Sequence, residues 1–199
     1  ETGIALVREA AAEDLFLLSA GDMGIGNTTS AAAIFCALTG VAPTDAVGRG
    51  TGIDDATLTR KIAAVEKGLQ ITRPNPADPL DVLAKVGGLE IAAITGLILG
   101  AAALRVPVIL DGFVSAAAAL LARRFSPGIE EILFPSHRSA EKGHGAMLDA
   151  LGLSPVFDLQ MRLGEGTGAC LLIGLIEAAV KLMREMASFE SAGLSEKLA

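Results

Sequence analysis

The chain has 199 residues, 51% of them hydrophobic and 20% charged, with a mean hydropathy of +0.53. This fits one domain with a sizeable core and excludes both a disordered chain and a mini-protein that depends on disulfide or metal staples. The net charge of −7 and pI of about 4.8 oppose a broad basic surface, which excludes nucleic acid as a partner.

In chain order, residues 5–13 have a helical pattern, and 14–19 are an apolar run that reads as a buried parallel strand. The turn Gly21-Asp22-Met23-Gly24-Ile25-Gly26-Asn27 leads into an Ala-rich helix over 28–38, with Asn27 or Thr28 as its cap. After Gly48-Arg49-Gly50-Thr51-Gly52, the pair Asp54-Asp55 opens a helix to about residue 69, and the prolines of 72–79 make a loop. A helix from Leu80 and another over 89–104 precede a strand over 106–110, the turn Asp111-Gly112 and a helix over 114–123. Strands over 131–134 and 156–161 follow. The first leads into a helix near Ser139, the second through 162–168 into a long helix ending near Phe189. Alternating strands and helices define an α/β fold, a Rossmann-like parallel sheet with helices on both faces, in a single domain over residues 1–199. Ligands of such sheets bind in the loops at the carboxyl ends of the strands.

Residues 91–110 carry Arg105 as their only charge and are long enough to be a transmembrane candidate. Arg105, Pro107, the close-packing Gly96 and Gly100, and the absence of Trp and Tyr point instead to a buried helix and strand, with no membrane association. Cys36 and Cys170 stand apart in apolar surroundings without a CxxC, so neither a disulfide framework nor zinc is indicated and a reducing, cytoplasmic compartment is expected. The sequence opens Glu1-Thr2-Gly3 without methionine or a signal-peptide pattern, so Glu1 is not expected to be the start of translation.

In the first Gly-rich loop, Gly21, Gly26 and Thr28 fit the Walker A spacing, but Asn27 replaces the lysine, which argues against triphosphate hydrolysis. What is left is either a cradle of N–H groups for one phosphate or carboxylate, or an ordinary strand-to-helix turn. Glu165, between Gly164 and Gly166, is either a partly desolvated acid able to take a proton near neutral pH or an acid favoured by the dipole of the following helix. The few cations near the loops are Arg49, Lys61, Arg138, Lys142 and Arg162. A phosphate substrate needs one or two of them, although Lys61 by itself reads more readily as a solvated helix residue. His137 and His144 have no metal-ligand spacing, so no metal is expected. The sequence has no Gly-x-Ser-x-Gly elbow and no Gly-x-Gly-x-x-Gly with a distant ribose-binding acid, which argues against a hydrolase of that kind and a dinucleotide oxidoreductase.

Five motifs in order carry a family resemblance: Gly24-Ile25-Gly26-Asn27-Thr28-Thr29, Leu83-Ala84-Lys85-Val86-Gly87-Gly88, Leu110-Asp111-Gly112-Phe113, Pro135-Ser136-His137 with Ser139-Ala140-Glu141-Lys142-Gly143, and Met161-Arg162-Leu163-Gly164-Glu165-Gly166. Spread over residues 3–189, they resemble the nicotinate-nucleotide:dimethylbenzimidazole phosphoribosyltransferases, which make the lower-ligand nucleotide of cobalamin. The resemblance implies that nicotinate of nicotinate mononucleotide is exchanged for 5,6-dimethylbenzimidazole to give α-ribazole 5′-phosphate, with Glu165 as general base and no cofactor. It implies that Lys61 and Ser139 hold the phosphate, that Asp22, Gly24, Arg162 and Gly164 contact nicotinate, ribose or the second base, and that Gly26, Asn27, Asp111 and Gly112 complete the substrate-binding set. Asp22 departs from the family, which usually has glutamate there. Family members also carry an N-terminal part outside this sequence, so the chain is expected to be their C-terminal catalytic part with a portion of a smaller helical domain. Ala/Leu faces over 88–104 and 169–186 suggest a homodimer. The alternative is a truncated, non-catalytic nucleotide-binding module of the same fold.

Overall fold

The computed structural model describes residues 1–193. Strands β1 (Leu18–Ala20), β2 (Val108–Leu110) and β3 (Leu133–Pro135) form a parallel sheet in that order, with Ser19, Ile109 and Phe134 in register. Helices α1 (Thr2–Ala11), α2 (Thr28–Thr39), α3 (Pro43–Ala46), α4 (Asp55–Thr72), α5 (Pro79–Val86), α6 (Leu89–Leu104), α7 (Phe113–Phe125), α8 (His144–Leu151) and α9 (Thr167–Glu185) surround it.

Side chains alternate across a strand, and β2 uses both directions. Val108 and Leu110 point into the main core with α2 and α7, whereas Ile109 points to the opposite face and meets Ala169 and Leu172 of α9. Helices therefore cover both faces, as the alternating pattern requires. The alanine runs of α2 and α7, Ala31–Ala33 and Ala116–Ala119, are buried, and their small side chains bring the two helices close together. Asp54 caps α4 by accepting from Thr57 N at 2.7 Å, as Asp54-Asp55 foretold.

The apolar stretch 91–110 resolves into α6 and β2. Helix α6 is apolar around its circumference because α1 packs on one side and α7 on another. A Cβ on Gly3 would collide with the Ala93 carbonyl and the Leu97 nitrogen, and one on Gly100 would lie 3.2 Å from Ile4 Cα. Glycines thus allow the α1–α6 backbones to touch. Among the described residues no helix is long and apolar enough to cross a membrane. The α6 face read as a dimer surface is largely used inside the chain, with Ile91, Ile94 and Ile98 buried, while α9 leaves Leu175, Leu182 and Met183 exposed.

Four elements depart most from the sequence reading. The expected strand 131–134 begins later, because Ile129–Ile132 form a 3-10 turn after Gly128 at φ +90° and only Leu133 and Pro135 turn inward. The expected strand 156–161 makes a single bridge, Phe157 to His137, before Gln160 takes φ +55° and breaks the extended path. Polar Asp158 and Gln160 have no buried face to seek, so this stretch runs along the sheet edge, tied to it by Val156 N to Pro135 O at 3.1 Å, Phe157 N to Ser136 O at 2.9 Å, and Arg138 N to Phe157 O and Ala140 N to Met161 O, both 2.8 Å. The helix expected near Ser139 starts at His144, since the intervening residues wrap around the site, and the last helix ends at Glu185 rather than near Phe189.

Candidate functional site

The loops after β1, β2 and β3 converge with residues 162–168 at the carboxyl edge of the sheet. One limb of the resulting cleft is lined by Asp22, Gly24, Gly112, Ser139, Arg162 and Gly164 together with Asp111, Ser115, His137 and Glu141. The second limb contains Gly24, Gly26, Thr28, Thr29, Arg49 and Lys61, and the two share Gly24, Thr28, Gly50 and Thr51.

The second limb gathers main-chain N–H groups and a lysine, donors of the kind that suit an anion. No side chain caps the start of α2, so the N–H groups of its first turn are open at the positive end of the helix. Half-buried Lys61 reaches across from α4 to donate to Thr28 Oγ1 at 2.9 Å and to Gly48 O at 3.1 Å. Burial lowers the Lys61 pKa, while the nearby Glu141 charge works against that shift. Lys61 is therefore not a solvated helix lysine. Lys61→Ala is expected to weaken binding of a nucleoside monophosphate by about 10- to 100-fold, as loss of a charge-assisted hydrogen bond requires, and to leave the phosphate-free nucleoside unaffected. Titration calorimetry with the two ligands checks this.

The first limb is organised by the loop that carries Glu165. Gly164, Glu165 and Gly166 take φ of 76°, 57° and 81°, three successive left-handed residues of which only Glu165 has a side chain to strain. The loop is pinned from both sides. Glu165 N donates to Asp22 O at 2.8 Å, and the Asp111 carboxylate accepts from Gly166 N at 3.0 Å, Gly168 N at 2.9 Å and Ala169 N at 3.2 Å. Asp111, expected to touch substrate, is 2% exposed and directs both carboxylate oxygens to the first turn of α9. Asp111 lines the cleft and at the same time anchors the loop. A Cβ on Gly168 would run into His137 Nδ1, so glycine is required where α9 meets the strand end.

The Glu165 side chain is exposed, so the expected partial desolvation is not supplied by the described residues. Asp22 lines the cleft, and its Oδ1 accepts from Gly24 N at 3.1 Å and from Asn27 Nδ2. Asn27 Oδ1 is buried without a hydrogen-bond partner among the described residues, which leaves an acceptor available beside the α2 start. Gly112 N donates to Ser115 Oγ at 2.9 Å and thereby starts α7. Arg162 is exposed at the rim.

Ser139 is buried, and its N–H donates to His144 Nδ1 at 2.8 Å. Burial, aided by the neighbouring His137 and Arg138, lowers the His144 pKa from 6.5 to about 3, so the ring stays a neutral acceptor that holds the Ser139 turn. The unfolded chain takes up this proton near pH 6.5 and the folded chain does so only near 3. Stability is therefore expected to fall as pH drops through that window, by up to about 1.4 kcal/mol per pH unit. Denaturant titrations across the window should show this slope, and it should be shallower in His144→Gln.

His137, Glu141, Ser115 and Thr51 also belong to the cleft, although no sequence signal gave them a role. The first two lie inside the quoted motifs, but only the folded chain directs them inward. Among the described residues there is no group of His, Cys, Asp and Glu able to hold a metal ion.

A parallel α/β sheet with an uncapped helix start, a lysine and a carboxylate-bearing loop gathered at its carboxyl edge has the arrangement in which open α/β sheets bind ligands. A family model described as Phosphoribosyltransferase matches residues 1–194, and the chain belongs to that family. It is 56% identical over 196 residues to the nicotinate-nucleotide–dimethylbenzimidazole phosphoribosyltransferase of Geotalea uraniireducens, covering 98% of this chain and 56% of the relative. It is 55% identical to the enzyme of the same name from Chloroflexus aggregans, covering 99% of this chain and 56% of that one. The crystal structure of CobT from Thermus thermophilus superimposes with a TM-score of 0.92 at 48% identity, over 98% of this chain and 58% of that one. The chain thus spans a little over half the length of the curated relatives it matches.

Proposed function

We propose that this chain carries the base-exchange chemistry of a nicotinate-nucleotide:dimethylbenzimidazole phosphoribosyltransferase. The observation that carries the reading is the juxtaposition, through shared Gly24 and Thr28, of the Lys61 anion limb with the limb whose wall is the Glu165 loop. A mononucleotide with its phosphate on Lys61 and the α2 start extends its sugar toward that loop.

In the exchange, the bond from the anomeric carbon to the nicotinate ring nitrogen breaks, and its electron pair stays on that nitrogen. Because the nitrogen is cationic beforehand, nicotinate leaves as a neutral pyridine ring and needs no acid. One nitrogen of dimethylbenzimidazole attacks the opposite face, and the proton on its other nitrogen passes to the Glu165 carboxylate. The products are α-ribazole 5′-phosphate, nicotinate and the proton. No step calls for a cofactor or a metal. The exposed position of Glu165 suits an acceptor base that arrives last and itself excludes water from the carboxylate. Cytoplasmic location belongs to this reading, and so does a homodimer associating through the exposed apolar face of α9.

Incubation of the chain with both substrates, followed by chromatography and mass spectrometry, tests the proposal. Formation of α-ribazole 5′-phosphate with matching release of nicotinate is expected. Binding of the mononucleotide with no product would mean that this chain alone lacks the chemistry.

A further inference from the structure

We infer that His137 presents a fixed hydrogen-bond acceptor, its Nε2 lone pair, to the cleft and uses it to hold a sugar hydroxyl of the bound mononucleotide. The ligand named here rests on the functional reading above, whereas the state of the ring rests on the hydrogen-bond network alone.

The network determines the tautomer. Ser136 Oγ lies 2.8 Å from the Asp111 main-chain oxygen, which can only accept, so the single hydroxyl hydrogen of Ser136 is committed there. The same Oγ lies 2.9 Å from His137 Nδ1, and in that contact the ring must be the donor. Burial lowers the His137 pKa against the opposing Asp111 charge, which keeps the ring neutral. A neutral ring with hydrogen on Nδ1 has a bare lone pair on Nε2.

The surroundings aim that lone pair. His137 is 1% exposed, yet it forms part of the cleft wall, and Nε2 has no hydrogen-bond partner among the described residues. The Nδ1 edge is held against Gly168, and the bridge to Phe157 fixes the main chain. A Cβ on Gly112 would lie 3.7 Å from Nε2, so glycine there leaves the ring edge uncovered. An acceptor without a hydrogen repels phosphate and carboxylate and attracts O–H or N–H donors. Ser139, two residues on, lines the same limb, which meets the Lys61 limb at the shared Thr28 and Gly50. A group between the phosphate limb and the Glu165 loop that offers hydrogen is a sugar hydroxyl. Ser136 is then a positioning residue, acting on the ligand only through the tautomer it imposes.

Nitrogen-15 NMR of histidine-labelled protein tests the ring directly. The free protein is expected to show His137 protonated at Nδ1 and bare at Nε2, and nicotinate mononucleotide is expected to shift the Nε2 resonance. Ser136→Ala should release the tautomer preference, a change that a purely structural serine would not produce. His137→Phe should weaken mononucleotide binding about five- to tenfold, the share of one neutral hydrogen bond. That loss should vanish for the 2′-deoxy or the 3′-deoxy mononucleotide, whichever lacks the held hydroxyl. Hydrogen on Nε2 in the free protein, mononucleotide binding that leaves Nε2 unmoved, or an equal loss for all three ligands would each overturn the inference. Failure of the wild-type chain to bind the mononucleotide at all would overturn the functional reading and with it the ligand assigned to Nε2.

Discussion

Glu165→Gln is expected to cut base exchange by about 10²- to 10⁴-fold while leaving nicotinate mononucleotide affinity within about twofold, the range a positioned general base contributes. Glutamine has the same length and the same backbone cost at φ +57°, and the loop is held through main-chain groups that the substitution leaves in place. Only the ability to take a proton is removed. Dimethylbenzimidazole becomes cationic as it attacks, so without a carboxylate its proton must go to water and the attacking step slows. The mononucleotide meets Lys61 and the α2 start on the other limb, which the substitution does not reach. Product formation under saturating substrates, with affinity measured separately by calorimetry, separates the two effects. Undiminished turnover in the glutamine variant would remove Glu165 from the chemistry.

Asp111→Ala is expected to lower stability by about 2–5 kcal/mol, because it strips the shared acceptor from three main-chain amides, and those of Gly168 and Ala169 belong to buried residues. It also leaves the positive end of α9 without its counter-charge. The same carboxylate anchors Gly166, next to Glu165, so turnover should fall about 100-fold, as when a reacting group loses its placement, with mononucleotide affinity little changed. Asp111→Asn keeps one acceptor oxygen and the side-chain volume, and should recover part of both losses. Denaturant unfolding and the separation of kcat from KM check these outcomes. If the alanine variant raised KM alone, Asp111 would contact substrate, as the family resemblance implies.

Asp111 illustrates what was legible and what was not. The family resemblance marked it as a substrate-binding residue, but its main-chain partners lie more than fifty residues onward and no local pattern names them. Lys61 is similar. On its own helix it has the spacing of a solvated residue, and its value depends on Thr28 and Gly48, which the fold brings to it. His137 and Glu141 lie within recognisable motifs, yet which atoms face the cleft depends on Ser136, Gly168 and Gly48 crowding their other sides. The misplaced strand 156–161 has the same origin, since an apolar, β-branched start reads as a strand whether or not a neighbouring edge continues to pair with it.

By itself, the sequence determined the parallel α/β class, the buried character of its most apolar stretch, the position of the Gly-rich loops and, through five ordered motifs, the family. Those features rest on local periodicity and on glycine, which act over one or two turns of chain. The tertiary structure alone decided that Asp111 holds the α9 start, that Lys61 faces an uncapped helix end, that the Glu165 side chain is exposed, and that His137 Nδ1 meets Ser136 Oγ. Each of these depends on hydrogen bonds or burial between segments distant in sequence, and such partners exist only once the sheet has brought its carboxyl ends together.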